Sequence, residues 1–300
     1  SAKAFAERLQ DNRIWFGSDG NSVPSIKRFL SELKYEGMAP TSILFYKEVG
    51  HSQEGAKEVV SLFGDKGVFD GPKPVRLLQR LITLANLEED SIVLDFFSGS
   101  ASTAHALMKT NAEKGSHSQF IMVQLPEEVS DTKKDQGYST ICEIGKERIR
   151  RAGKKIKADS PLTTQDLDTG FRVYRLDESN YENVSLSPKE YKQDQLDLFA
   201  NNIKTDRTDL DLLYGSMLAW GVRLDLPLQT EQVDGCTVYT VNDGDLVACF
   251  SEGITDKVVA AMAEKSPLRV LFRDACFKED AQKINIYEQF KQALDWADDD

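Results

Sequence analysis

Asp95 is the residue from which a chemical reading of this chain starts. It closes the apolar run 92–94, and Phe96, Phe97, Ser98, Gly99 and Ser100 follow before a helical pattern opens near Ser102. A carboxylate at the carboxyl edge of a buried strand stands where open α/β sheets bind ligands, and it can accept hydrogen bonds from a ligand ammonium. Gly99 can take the positive φ that a tight turn needs, and the backbone N–H groups that open the next helix have no partner inside it. Such a turn suits an amino-acid-like group better than a pyrophosphate. The stretch is neither G-x-G-x-x-G nor G-x-x-x-x-G-K-[ST], which disfavours a dinucleotide and a P-loop nucleotide. The four cysteines, Cys142, Cys236, Cys249 and Cys276, form no C-x-x-C pair, and His51 has no cysteine or second histidine beside it, so no metal site is indicated.

The elements that position these residues read as strand, turn, helix and strand. Ahead of the strand, Lys73 and Pro74 open a helix whose stripe is Val75, Leu78, Leu81, Ile82 and Ala85, with Pro74 in the first turn, where its missing N–H costs nothing. After the turn, a helix over 103–113 leads to a second buried strand over 120–126, a βαβ unit whose parallel pairing buries both strands. Gln124 ends that second strand, where nucleoside-binding folds place a group on the ribose hydroxyls. A helix over 138–152 follows, with Ile141, Ile144 and Ile149 inward and Lys146, Arg148, Arg150 and Arg151 outward. Its basic run, continued by Lys154, Lys155 and Lys157, reads first as a solvated helix end and second as a phosphate contact.

The stretch from Asp95 resembles the S-adenosylmethionine loop of amino-group DNA methyltransferases, Asp-x-Phe-x-Gly-Ser-Gly-x-Thr. Asp95, Phe97, Gly99, Ser100 and Thr103 match, and Ala101 stands where that family has its second glycine. Lys73–Pro74 is similar to the Lys-Pro pair that lines the cofactor pocket in the same family. Gln-Leu-Pro-Glu at 124–127, after the loop, resembles the modification subunit of type III restriction systems. The resemblance implies a partial Rossmann-like S-adenosylmethionine-dependent methyltransferase fold, α/β, followed by a smaller α+β domain. It implies transfer of methyl from S-adenosyl-L-methionine to adenine N6 in DNA. Asp95 would hold the methionine ammonium, Phe96 and Phe97 would wall the pocket, and Ser98, Gly99 and Ser100 would present the turn. Lys73 would stand near the carboxylate or the pocket mouth, and Gln124 with Leu125 would take ribose and adenine.

By the same resemblance the partners would be DNA, a restriction subunit and a second modification subunit. The family aligns its target amine with a tetrapeptide, Asp/Asn/Ser-Pro-Pro-Tyr/Phe, and no two of the nine prolines here are adjacent, so no catalytic residue is assigned to this chain. In the subgroup that places the tetrapeptide first, this chain would begin near the end of target recognition. Its start at Ser1, in mid-helix, is consistent with a piece of a longer protein. Other readings stay open: a non-catalytic assembly module, a cytosine-N4 or RNA amino methyltransferase, and last a dinucleotide oxidoreductase.

Composition sets the frame. Three hundred residues, 40% hydrophobic and 29% charged, allow two globular domains. No apolar run approaches the ~20 residues of a membrane span, and the expected location is a reducing cytoplasm. The net charge of -12 is uneven: residues 1–80 hold 12 Lys+Arg against 10 Asp+Glu, whereas residues 161–300 hold 14 against 27. A DNA surface is expected before residue 160, and the acidic remainder is better suited to protein or to solvent. The expected divisions are 1–68, the end of target recognition and a connector; 69–160, the cofactor-binding part; and 161–300, an assembly domain.

Along the chain, a helix is expected over 2–10, a hairpin around the turn 18–21, a helix through Ile26, Phe29, Leu30 and Leu33, a strand over 43–46 and a helix over 56–63. Beyond a polar linker at 163–170, an alternating strand at 171–176 precedes a loop-rich stretch over 177–207. Then come a helix over 208–220, a hairpin of 236–241 and 246–250 around Asn-Asp-Gly-Asp, a helix over 255–265, a strand over 268–272 and a helix over 283–296.

Overall fold

A computed structural model describes residues 2–32, 40–64, 68–182 and 202–294. Two compact units divide the chain, Ser1–Phe171 and Arg172–Asp300.

The first unit opens with α1 (Ala2–Gln10) and a short antiparallel pair, β1 (Ile14–Trp15) and β2 (Ser25–Ile26). The helix expected through Ile26 and Phe29 does not form. Arg13 donates to Glu32 and lies over the Phe29 ring, so a charged contact fixes a 3₁₀ turn at Leu30–Glu32 instead; Leu33 lies outside the described residues. The strand expected over 43–46 is replaced by the helical turn α2 (Tyr46–Val49). Arg76 supplies the donors its last carbonyls need, bonding Lys47 O at 3.1 Å and Glu48 O at 3.0 Å. Next come α3 (Ser52–Phe63) and α4 (Val75–Ala85). Pro74 is the residue before α4, in extended conformation, and not part of its first turn.

The centre of this unit is β3 (Ile92–Asp95), α5 (Ser102–Lys114) and β4 (Gln119–Met122), followed by α6 (Asp131–Lys134) and α7 (Ile141–Asp159). β3 and β4 are parallel, with Ile92 opposite Gln119 and Asp95 opposite Met122. α5 is buried around most of its girth. Ala104 and Met108 meet Ile149 and Ala152 of α7, and Ala106 and Leu107 meet Val75 and Ile82 of α4. The alanines let three helices approach closely, and Leu107 contributes ~2–3 kcal/mol of burial. The stretch 163–171 packs here too: Thr164 is buried, and Leu167 and Phe171 join the α7 cluster.

The strands are not buried on both faces as a βαβ pair leads one to expect. One face meets the helices, through Val93 and Phe120. The other carries Ile92, Leu94, Phe96, Ile121, Val123 and Leu125, each 49–62% exposed. The alternation is that of a sheet covered by helices on a single side.

The second unit contains α8 (Asp209–Ala219), β5 (Leu228–Val233), β6 (Cys236–Val241), β7 (Leu246–Cys249), α9 (Asp256–Ala263), β8 (Val270–Phe272) and α10 (Asp280–Leu294). Its sheet has the order β5-β6-β7-β8, antiparallel except for the parallel β7–β8 edge. β5 had no counterpart in the sequence reading. Thr208 caps α8 through a capping box, accepting from Asp211 N while Asp211 accepts from Thr208 N at 2.7 Å. One sheet face packs Val238, Val247 and Cys249 on Val258 and Phe290, and the other packs Tyr239, Val241 and Ala248 on Leu213 and Met217.

The strand expected to run on from Phe171 to Leu176 is absent: Arg172 and Tyr174 hold that segment by side chain, both donating to Leu224 O. Much of the loop-rich stretch over 177–207 and the end of the last helix at Trp296 lie outside the described residues. No helix among the described residues is long and apolar enough to cross a membrane.

Candidate cofactor turn

β3 ends on Asp95, whose backbone carbonyl accepts Val123 N at 2.8 Å, and Ser98 N then returns to Val123 O at 3.2 Å. The chain therefore turns over the end of β4. Both Asp95 oxygens are engaged by the turn itself: Oδ1 accepts from Phe97 N at 3.2 Å and Oδ2 from Thr103 Oγ1 at 2.6 Å. A carboxylate has about four acceptor positions, so these two bonds orient the group and leave capacity for a ligand donor.

Gly99 has φ 51°, and its N–H donates to Gln124 Oε1 at 2.8 Å. A side chain on Gly99 would press on Phe69, whose Cζ lies 3.1 Å from an added Cβ. Ala101 has φ 57° and ψ 39°, a left-handed conformation that a glycine would take without strain. Its N–H closes the turn on Ser98 O at 2.7 Å.

The structure therefore brings together Asp95, Phe97, Ser98, Gly99, Thr103 and Gln124. Gln124 serves the turn with its carbonyl oxygen and bonds Leu125 O through its NH₂ at 3.3 Å. Phe96, Phe97 and Leu125 are exposed apolar side chains, the two phenyl rings 5.4 Å apart. Ser100 differs from its neighbours: it is buried and bonded to Arg148. Lys73 is exposed and Pro74 is buried, and just before them Gly55 of α3 approaches so closely that an added Cβ would lie 2.3 Å from Pro72 O.

Two residues that matter here escaped the sequence reading. Phe69 lies under Gly99. Arg148, expected outward, is fully buried, with Nη1 2.8 Å from Ser100 Oγ and 2.6 Å from Ser102 Oγ. Burial lowers its pKa to about 10, with Glu58 opposing. Glu58 itself is raised by burial, with the Val75 N–H and Arg148 opposing. Two further members of the basic run are paired within the unit: Arg151 bonds Leu62 O and Phe63 O at the end of α3 and pairs with Glu147, and Lys155 pairs with Asp159. His105, one turn into α5, is pushed down to about 3 by burial, with the cations Arg148, Lys109 and Lys155 adding to the shift. The described residues contain no cluster of three or more metal-ligating side chains.

A parallel strand pair joined by a helix, with an acidic residue at the strand end and a glycine turn after it, corresponds to the edge at which open α/β sheets bind ligands. Residues 11–154 match the DNA methylase family. The chain is similar to Mod subunits of type III restriction-modification enzymes. It is 38% identical over 198 residues to the StyLTI Mod subunit of Salmonella typhimurium, covering 65% of this chain and 28% of that protein. It is 32% identical over 309 residues to the EcoP15I Mod subunit of Escherichia coli, covering 94% and 42%. The EcoPI Mod subunit of Escherichia phage P1 is 29% identical over 266 residues, covering 84% and 38%. The chain thus spans less than half the length of the curated relatives it matches.

Proposed function

We propose that this chain carries the cofactor-binding part of a site-specific DNA methyltransferase, the modification subunit of a type III restriction-modification system, acting on adenine N6. The observation that carries the reading is the Asp95 turn, a carboxylate oriented from two sides at a parallel strand end, in a chain related to Mod subunits. Within this reading β3, α5 and β4 are part of a Rossmann-like sheet. Residues 1–68 end the recognition region, 69–160 bind cofactor, and 161–300 serve assembly with a restriction subunit and a second modification subunit. The full protein would meet DNA in the cytoplasm.

The residues fit S-adenosyl-L-methionine. Asp95 retains acceptor positions for an ammonium, and the exposed Phe96, Phe97 and Leu125 offer apolar surface to a thioether chain and an adenine. When bound, the cofactor supplies a methyl group on a positively charged sulfur. Asp95 binds and orients, the Ser98 to Ala101 turn sets the approach, and Lys73 at the mouth of α4 offers a cation to a carboxylate. Gln124 acts first through the turn, because its Oε1 is held by Gly99 N. With no pair of adjacent prolines in the sequence, alignment of the target amine falls to residues outside this chain, and the chain alone methylates no DNA.

Calorimetric titration of the purified chain with S-adenosylmethionine tests the reading, with NAD and Asp95→Ala as controls. Saturable binding that is selective over NAD and lost in Asp95→Ala is expected. A folded chain that binds both ligands alike, or neither, overturns it.

A further inference from the structure

Arg148 is a fully buried cation on α7 that makes only part of its bonding capacity. Nη1 bridges the hydroxyls of Ser100 and Ser102, while Nε and Nη2 are buried without a hydrogen-bond partner, Nη2 lying 3.7 Å from Glu58 Oε2. A buried charge so incompletely paired is a poor device for stability, and an apolar residue of similar volume would pack at lower cost. Its geometry supplies another reason for its presence. Ser100 and Ser102 flank Ala101, the non-glycine residue in left-handed conformation. One nitrogen therefore holds the side chains on both sides of the left-handed residue in the turn.

Glu58 extends the grip. Its two oxygens accept Val75 N at 3.2 and 3.0 Å, filling an orphan donor at the start of α4, and the same carboxylate faces Arg148. The Glu58–Arg148 pair thus joins the end of the Lys73–Pro74 segment to the 98–103 turn, two segments that are distant in sequence and that the cofactor reading places around one ligand.

We infer that Arg148, oriented by Glu58, is a positioning residue that fixes Ser100 and Ser102 and pre-organises the turn for S-adenosylmethionine; the inference rests on the cofactor reading above. Arg148 does not touch the ligand. Its effect on affinity runs through the cost of ordering the turn, which a preformed loop avoids.

The test compares Ser102→Ala, Arg148→Met and their combination in the whole chain, at a temperature where circular dichroism shows each folded. Two quantities are read: S-adenosylmethionine affinity by calorimetry, and amide exchange over residues 99–103 without ligand. Loss of a charge-assisted hydrogen bond predicts roughly tenfold weaker binding for each single variant, with faster exchange confined to the turn. The double variant should bind no more weakly than Arg148→Met, because both changes remove the same contact. If Arg148→Met does not fold, Ser102→Ala carries the test alone, since it removes only one hydroxyl. Unchanged affinity in folded Ser102→Ala, with the unsubstituted chain binding normally, overturns the inference and spares the cofactor reading. Absence of binding by the unsubstituted chain overturns the cofactor reading, and the inference with it.

Discussion

Ala101→Gly should be nearly neutral for stability, although it deletes a methyl group from a site that is 2% exposed. The left-handed conformation at φ 57° costs an L-residue ~1–2 kcal/mol, which glycine recovers. Against this stand the lost burial of one methyl, ~0.8 kcal/mol, and the larger freedom of an unfolded glycine, ~0.4–1 kcal/mol. The terms cancel to within about 1 kcal/mol. Ala104, three residues on and equally buried, has no such relief, being inside α5. Ala104→Gly loses the same methyl and ~1 kcal/mol of helix propensity, a cost of about 2 kcal/mol before any cavity term. Native-state hydrogen exchange of the α5 amides reads both variants within one cooperative unit and avoids the two-state assumption in a two-unit chain. A cost for Ala101→Gly equal to that for Ala104→Gly would refute the strained turn.

Two further outcomes follow from packing and charge. His105 is held neutral by burial, its pKa depressed to about 3 from 6.5, so its contribution is complete above pH 6.5 and is lost as pH falls toward 3. The slope is up to ~1.4 kcal/mol per pH unit, and denaturation at pH 7 and pH 5 should show a drop that His105→Leu flattens. Gly55→Ala would place a methyl 2.3 Å from the backbone carbonyl of Pro72. It should destabilise by about 1–3 kcal/mol and displace the Lys73–Pro74 segment, visible as a lower melting temperature together with weaker cofactor binding.

The strand, turn and helix were legible in the sequence because an apolar run ends on an acid and a glycine precedes a helical pattern. The internal wiring of the turn was less so. Gln124 was expected to end a strand over 120–126, but β4 stops at Met122, and the Gln124 side-chain oxygen is occupied by Gly99 N. Arg148 was hidden by its neighbours: in a run rich in lysine and arginine, charge reads as solvent. Yet Ile141, Ile144, Gly145, Arg148, Ile149, Ala152 and Ile156 recur at helical spacing, and the arginine stands inside that apolar stripe. That spacing was the available signal. The open face of β3 and β4 could not be read, because a run such as Ile92 to Leu94 is equally apolar whether one face is covered or two. The 3₁₀ turn after β2 was lost for a different reason, a long-range pair between Arg13 and Glu32 that overrides local periodicity.

The central claim is that S-adenosylmethionine sits on the turn after β3. Hydrogen exchange by mass spectrometry, with and without the cofactor, tests it most directly. The account predicts slowed exchange concentrated in residues 96–103 and 123–125, where the turn and the end of β4 meet. Protection confined to the second unit, or binding with no change over these residues, would contradict it.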